Sequence, residues 1–179
     1  KKVTIIGYGH VGRKLSMTLK ALGIQPFVID PYVSADLAIH QNLEPSILKQ
    51  TDFLILCCSL NKKNHHLINS TILNLLPSNA TLINPARGKL INQADLINHC
   101  KRNNHFKAYL DVFENEPFQE ENFKNVANII KTSHIAGCSE QLDEDIIDYE
   151  FEIIKNFLEL SLDEFNKTYH HLDIRNFFH

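Results

Sequence analysis

Three polar clusters stand directly after short apolar runs and hold the side chains best suited to chemistry: Asn84-Pro85-Ala86-Arg87-Gly88, Asp111-Val112-Phe113-Glu114-Asn115-Glu116-Pro117 and Ser133-His134-Ile135-Ala136-Gly137. A guanidinium such as that of Arg87 can grip a carboxylate through two parallel N–H donors. The imidazole of His134 can give or take a proton near neutral pH, and a carboxylate such as Glu116 beside it would favour its protonated form and fix its tautomer. Such a trio would suit reduction of a 2-keto acid by hydride transfer. That reaction needs a cation for the carboxylate, a proton donor at the carbonyl oxygen and a hydride source held beside both. Each residue alone has a plainer reading: a surface arginine, a structural histidine, and solvated loop charges in the run from Glu114 to Glu121.

A pocket for a hydride carrier is suggested upstream. Gly7-Tyr8-Gly9-His10-Val11-Gly12 lies between the apolar run Val3 to Ile6 and a stretch in which Val11, Leu15, Leu19 and Leu22 recur at helical spacing before Gly23. In G-x-G-x-x-G at a strand-to-helix junction, Gly7 permits the tight turn, Gly9 lets a pyrophosphate approach the backbone and Gly12 lets helix and strand pack closely. The helix start adds free N–H groups and partial positive charge. Asp30 closes the next apolar run, Pro26 to Ile29, where its carboxylate can accept from adenosine ribose hydroxyls and repel a 2′-phosphate, favouring NAD over NADP. Its plainer reading is a turn residue before Pro31.

The elements that must position these groups alternate. Strands are expected over Val3–Ile6, Pro26–Asp30, Asp52–Cys58, Thr81–Asn84, Phe106–Asp111 and Val126–Lys131, with helical stretches from Val11, around Pro45–Gln50, over Leu67–Leu76 and over Ala94–Lys101. A last long helix is expected from about Gln141 to Leu160, with Ile146, Ile147, Phe151, Ile154, Phe157 and Leu158 on one face, followed by an irregular tail from 161 to 179. This alternation of mostly apolar strands with helices predicts an α/β fold: a doubly wound parallel sheet of the Rossmann type, covered by helices on both faces.

Bulk properties exclude more than they identify. With 44% hydrophobic and 22% charged residues and a net charge of −3, nothing points to nucleic acid or an anionic membrane as partner. No apolar run approaches the ~20 residues needed to cross a bilayer, and no secretory signal opens the chain, so a cytoplasmic location is expected. The four cysteines lack C-x-x-C spacing, and Cys57-Cys58 fall in an expected buried strand, so reduced thiols are expected. His65-His66 and His170-His171 are adjacent pairs whose rings diverge; no metal site is expected, and both are read as surface histidines.

Taken in order and spacing, Gly7 to Gly12, Asp30-Pro31-Tyr32, Leu82 to Gly88, Leu110 to Pro117 and His134 to Gly137 resemble the D-isomer-specific 2-hydroxyacid dehydrogenases over residues 1 to about 160. The resemblance implies that Arg87 binds the substrate carboxylate and that His134 is the proton donor. Glu116, rather than Glu114, would be its acid partner. It further implies that Asp111 binds the nicotinamide carboxamide, that Cys58 and Gly137 contact the cofactor, and that His10 and Val11 belong to the pyrophosphate turn. Thr132 to Gly137 with Asp30-Pro31 resembles the erythronate-4-phosphate dehydrogenase-like subgroup, in which Cys138 would touch substrate. Ser59-Leu60-Asn61 departs from the family's Pro-Leu-Thr beside the cofactor.

In that family the dinucleotide domain is inserted in a substrate domain whose first segment precedes the glycine loop. The chain begins Lys1-Lys2 and its one methionine is Met17, so an upstream segment is expected to be missing. The expected organisation is a dinucleotide-binding domain, 1–160, and a C-terminal tail, 161–179, packing toward the absent substrate domain. The resemblance also implies a homodimer and a small D-2-hydroxy or 2-keto acid as substrate. Two further readings stand beside the enzyme: an NAD-responsive binding module resembling dehydrogenase-like corepressors, and an NAD-binding fragment inactive alone.

Overall fold

Runs such as Val3-Thr4-Ile5-Ile6 and Phe53-Leu54-Ile55-Leu56 are apolar on both sides of the pleat, which suits strands inside a parallel sheet rather than half-exposed antiparallel ones. The computed structural model describes residues 1–33, 39–138, 151–156 and 158–168. In it β1 (Val3–Ile6), β2 (Phe27–Ile29), β3 (Phe53–Leu56), β4 (Thr81–Asn84), β5 (Lys107–Leu110) and β6 (Ile129–Lys131) form one parallel sheet in the order β2-β1-β3-β4-β5-β6. The connections carry α1 (His10–Ala21), α2 (Pro45–Leu48), α3 (Ser70–Leu73) and α4 (Gln93–Arg102). This is the doubly wound Rossmann architecture.

β1 and β4 keep the expected bounds, while the other four strands are shorter than the apolar runs that announced them. Asp52, Cys57 and Cys58 fall outside β3, so the two cysteines are half-buried loop thiols and not strand residues. All four cysteines are free. The helix expected over Leu67–Leu76 is reduced to the single turn α3. Ile68 instead pairs with the segment before α4: its N–H donates to Leu90 O at 2.9 Å and its carbonyl accepts from Asn92 N–H at 2.8 Å. The Asn69 side chain then caps α3 by accepting from the N–H groups of Thr71 and Ile72.

One face of the sheet forms the main core. Leu54, Leu56, Leu82, Ala108 and Leu110 pack there with Leu48 of α2, Leu73 of α3 and Leu96 and Cys100 of α4. Fully burying each such leucine contributes roughly 1.5–3 kcal/mol. On the other face Ile5 and Val28 are buried, and α1 turns its own buried residues, Gly12 and Ser16, inward. Farther along that face the register aligns Ile55, Ile83, Tyr109 and Ile130 in one row. Tyr109 and Ile130 remain 41% and 40% exposed, so the second face is less covered than the apolar strands predict.

The chain divides into two compact units, residues Lys1–Ala136 and Gly137–His179. In the second, residues 151–156 are helical, and Phe151, Ile154 and Leu158 are exposed. Residues 139–150 and 157, most of the long helix expected from Gln141, lie outside the described residues, as do 169–179 with His170-His171. A helix, Leu162–Thr168, occupies part of the segment expected to be irregular. Its cause is a capping box: Ser161 Oγ accepts from Glu164 N–H at 3.4 Å, and the Glu164 carboxylate accepts from Ser161 N–H at 3.2 Å. Among the described residues, no helix is long and apolar enough to cross a membrane.

Candidate active site

β1 has β2 on one side and β3 on the other, so the chain reverses direction across the sheet there, and a crevice opens at the carboxyl ends of these strands. The glycine loop lines it. Gly7 has φ +99°, and a Cβ on it would lie 2.6 Å from Cys58 N. A Cβ on Gly12 would lie 2.0 Å from Gly7 O, whereas one on Gly9 would meet nothing within 4 Å. The loop is therefore closed against the protein at Gly7 and Gly12 and open at Gly9, where a phosphate would come. The first α1 bond runs from Arg13 N–H to Gly9 O, which leaves the N–H groups of His10, Val11 and Gly12 directed out of the helix start. His10 and Val11 are exposed there.

Asp30 joins the two walls of this crevice. Its Oδ2 accepts from Tyr8 N–H at 2.7 Å and its Oδ1 from Tyr32 N–H at 2.8 Å. The turn-residue reading is thus correct as far as it goes, and each oxygen keeps a lone pair for a ribose hydroxyl. Cys58 sits under Gly7, where burial pushes its thiol up to about 11. A cradle with room at Gly9, a free helix start and a buried carboxylate fit a dinucleotide.

The candidate acid–base groups lie at the other end of the sheet, beyond β4, β5 and β6. After β6 the chain bends so that His134 N–H donates to Asp111 O at 2.8 Å, with His134 at φ +56°. This presents its Nδ1 to Glu116 Oε2 at 2.7 Å. The other Glu116 oxygen accepts from Phe113 N–H at 2.9 Å. That N–H, with lesser contributions from His134 and the Arg87 charge, holds the Glu116 carboxyl below its ordinary range despite partial burial. Asp111 secures the loop from beneath. Its carboxylate accepts from the Thr132 hydroxyl and from Ile135 and Ala136 N–H at 2.9 and 2.8 Å. Burial works to raise the Asp111 carboxyl, and these three donors together with His134 outweigh it, leaving it below its ordinary range.

The Arg87 guanidinium donates to Ala86 O at 2.7 Å, and the turn around it is fixed by its neighbours. Buried Asn84 accepts from Ala86 N–H at 3.1 Å and donates to Arg87 O at 2.9 Å. Gly88 lies so close to β5's exit that a Cβ would stand 1.9 Å from the carbonyl carbon and oxygen of Phe113. The turn carrying Arg87 is thereby locked to the turn carrying Glu116, and the guanidinium stays exposed. Beside them a cavity of about 540 Å³ is lined by Phe113, Glu116, Pro117, Phe118, Ser133 and His134.

Arg87, Glu116, His134 and Asp111 therefore come together, and Gly7, Gly9, His10, Val11, Gly12, Asp30 and Cys58 form the separate crevice. Gly137 falls in the second unit and is exposed. The sequence reading missed Asn84, Gly88 and Thr132 as supports, although the first two stand inside the quoted Asn84-to-Gly88 motif. It also read His66 as a surface residue and Glu114 as a solvated charge; the two are half-buried and their side chains are in direct contact. Among the described residues, no three His, Cys, Asp or Glu side chains are grouped to hold a metal ion.

A parallel sheet with a glycine-rich crevice at its reversal point defines a dinucleotide-binding domain, and a His–Glu couple with an arginine stands at its far strand ends. Residues 1–136 match the D-isomer specific 2-hydroxyacid dehydrogenase NAD binding domain, and the chain belongs to that family, whose cofactor is NAD. It is 37% identical over 143 residues to the erythronate-4-phosphate dehydrogenase of Proteus mirabilis, covering 76% of this chain and 38% of that protein. With the glyoxylate reductase of Thermococcus gammatolerans it shares 31% identity over 143 residues, 78% of this chain and 43% of the relative. The solved structure of the D-lactate dehydrogenase from Aquifex aeolicus, complexed with NAD and lactic acid, superposes with a TM-score of 0.74 at 26% identity, covering 88% of this chain and 53% of that one. The chain thus spans less than half the length of the curated relatives it matches.

Proposed function

We propose that this chain supplies the cofactor and proton-transfer half of an NAD-dependent dehydrogenase acting on a small D-2-hydroxy or 2-keto acid. The observation that carries the reading is the 2.7 Å contact between His134 Nδ1 and Glu116 Oε2, on a turn to which the Arg87 loop is locked. With Nδ1 turned to Glu116, Nε2 of His134 is the nitrogen left to donate a proton to the carbonyl oxygen in reduction and to remove it in oxidation. Glu116 is a positioning residue: anchored by Phe113 N–H, it fixes the ring's orientation and tautomer. Arg87 binds the substrate carboxylate. NAD, when bound, supplies or accepts the hydride; Gly7, Gly9, Gly12 and the start of α1 hold its pyrophosphate and Asp30 its ribose. Asp111 holds the His134 loop, and its remaining lone pairs are available to the nicotinamide amide.

The test uses the full-length protein with NADH and a panel of 2-keto acids, glyoxylate and the oxidised form of erythronate 4-phosphate among them. His134→Asn is expected to lower kcat by about 10²–10⁴. Arg87→Ala is expected mainly to raise KM. Turnover independent of His134 would overturn the reading, and a partner captured in an NADH-dependent way that survives His134→Ala would favour the binding-module reading instead. Family resemblance adds the expectation of a homodimer, which sedimentation of the full chain checks.

A further inference from the structure

The turn 113–117 sends its two carboxylates in different directions. Glu116 meets His134, while Glu114 meets Nε2 of His66, in the loop between β3 and α3. Glu114 Oε1 is withdrawn from water and has no hydrogen bond of normal geometry among the described residues, and the His66 ring lies directly against it through Nε2. A buried carboxylate oxygen needs a donor, and His66 Nε2–H is the one at hand.

His66 is itself held in an unusual backbone state. Its φ is +54°, a left-handed conformation that a non-glycine residue keeps only where its surroundings fix it. Here they do so: His66 N–H donates to Lys89 O at 2.9 Å, and its carbonyl accepts from Asn69 Nδ2 at 3.3 Å. Lys89 follows Gly88, which presses on Phe113. Three contacts, His66 with Lys89, Gly88 with Phe113 and Glu114 with His66, thus close a ring through three chain segments. Arg87 stands beside one link of that ring and Glu116 beside another.

We infer that His66 and Glu114 are a positioning pair that fixes Arg87 against the Glu116–His134 couple, an inference that rests on the proposed roles of Arg87 and His134. Removing either member loosens the arginine turn and leaves the His134–Glu116 contact in place. Misplacement of a carboxylate-binding cation shows first in KM for the acid.

The experiment compares His66→Ala, Glu114→Ala, their double variant and the conservative Glu114→Gln in the full-length protein. Three quantities are read: steady-state constants, NADH affinity by fluorescence, and amide hydrogen exchange at residues 66 and 113. Each alanine variant is expected to raise KM for the keto acid roughly tenfold, with kcat and NADH affinity within about threefold. The double variant should be no worse than the worse single one, and Glu114→Gln, which keeps an acceptor, should recover most of the loss. Unchanged KM overturns the inference, as do additive effects, or a parallel loss of kcat, NADH affinity and melting temperature. If Arg87→Ala and His134→Asn leave turnover intact, the functional reading itself fails. The pair is then judged by exchange alone: faster, non-additive exchange at residues 66 and 113 supports it, and unchanged exchange overturns it.

Discussion

Gly88 has no space for a methyl group, since a Cβ would stand 1.9 Å from the Phe113 carbonyl. Gly88→Ala must therefore part the arginine turn from the Glu116 turn, at a strain cost of about 1–3 kcal/mol. Keto-acid turnover is expected to collapse while NADH still binds, and fluorescence titration alongside kinetics and urea unfolding checks this. The two lowered carboxyls make a second residue-scale prediction. Because Asp111 and Glu116 sit below their ordinary range in the fold, they add stability that is complete above about pH 5 and is lost as pH falls through the lowered values. Asp111→Asn should destabilise the protein at pH 7 and flatten the decline toward pH 3, as urea midpoints measured across that range would show.

At the scale of elements, the junction of β1 and α1 is nearly as tight. A Cβ on Gly12 would sit 2.0 Å from Gly7 O, so Gly12→Ala pushes the helix start away from the strand and NAD affinity should fall at least tenfold, read by calorimetry. This crevice was legible in the sequence because its signals are local: apolar run, glycine loop, helical spacing and a closing aspartate all lie between Val3 and Asp30. The length of α3 was not legible, because Ile68 leaves the helical pattern to pair with Ile91, a partner that only the folded chain brings near. The His66–Glu114 pair escaped for the same reason. By contrast, the Ser161-Leu162-Asp163-Glu164 capping box was present in plain view, and the absence of a hydrophobic period hid the helix it starts. Among the candidate site residues, motif order pointed to Arg87, Glu116 and His134, while the Asn84 and Thr132 supports became visible only with their hydrogen bonds.

Across the whole molecule, the four free cysteines report on how tightly each region is closed. Cys138 is exposed, whereas burial lifts Cys57 and Cys58 to about 11 and Cys100 to about 12. Thiolates are the reactive form, so an aromatic disulfide reagent at pH 8 should modify Cys138 at once and Cys57 and Cys58 slowly. Cys100 should react only on unfolding. A fast second thiol in the native protein would show that the glycine-loop floor opens.

The sheet reverses at β1, with the glycine loop and Asp30 on its β1–β2 side and Arg87, Glu116 and His134 at the ends of β4 to β6. Heredity can therefore act on the two ends separately. A lineage that lost His134 while keeping Gly7 to Asp30 would lose the proton donor proposed above and keep the nucleotide crevice. Such a descendant is a ready starting point for a sensor of metabolic state.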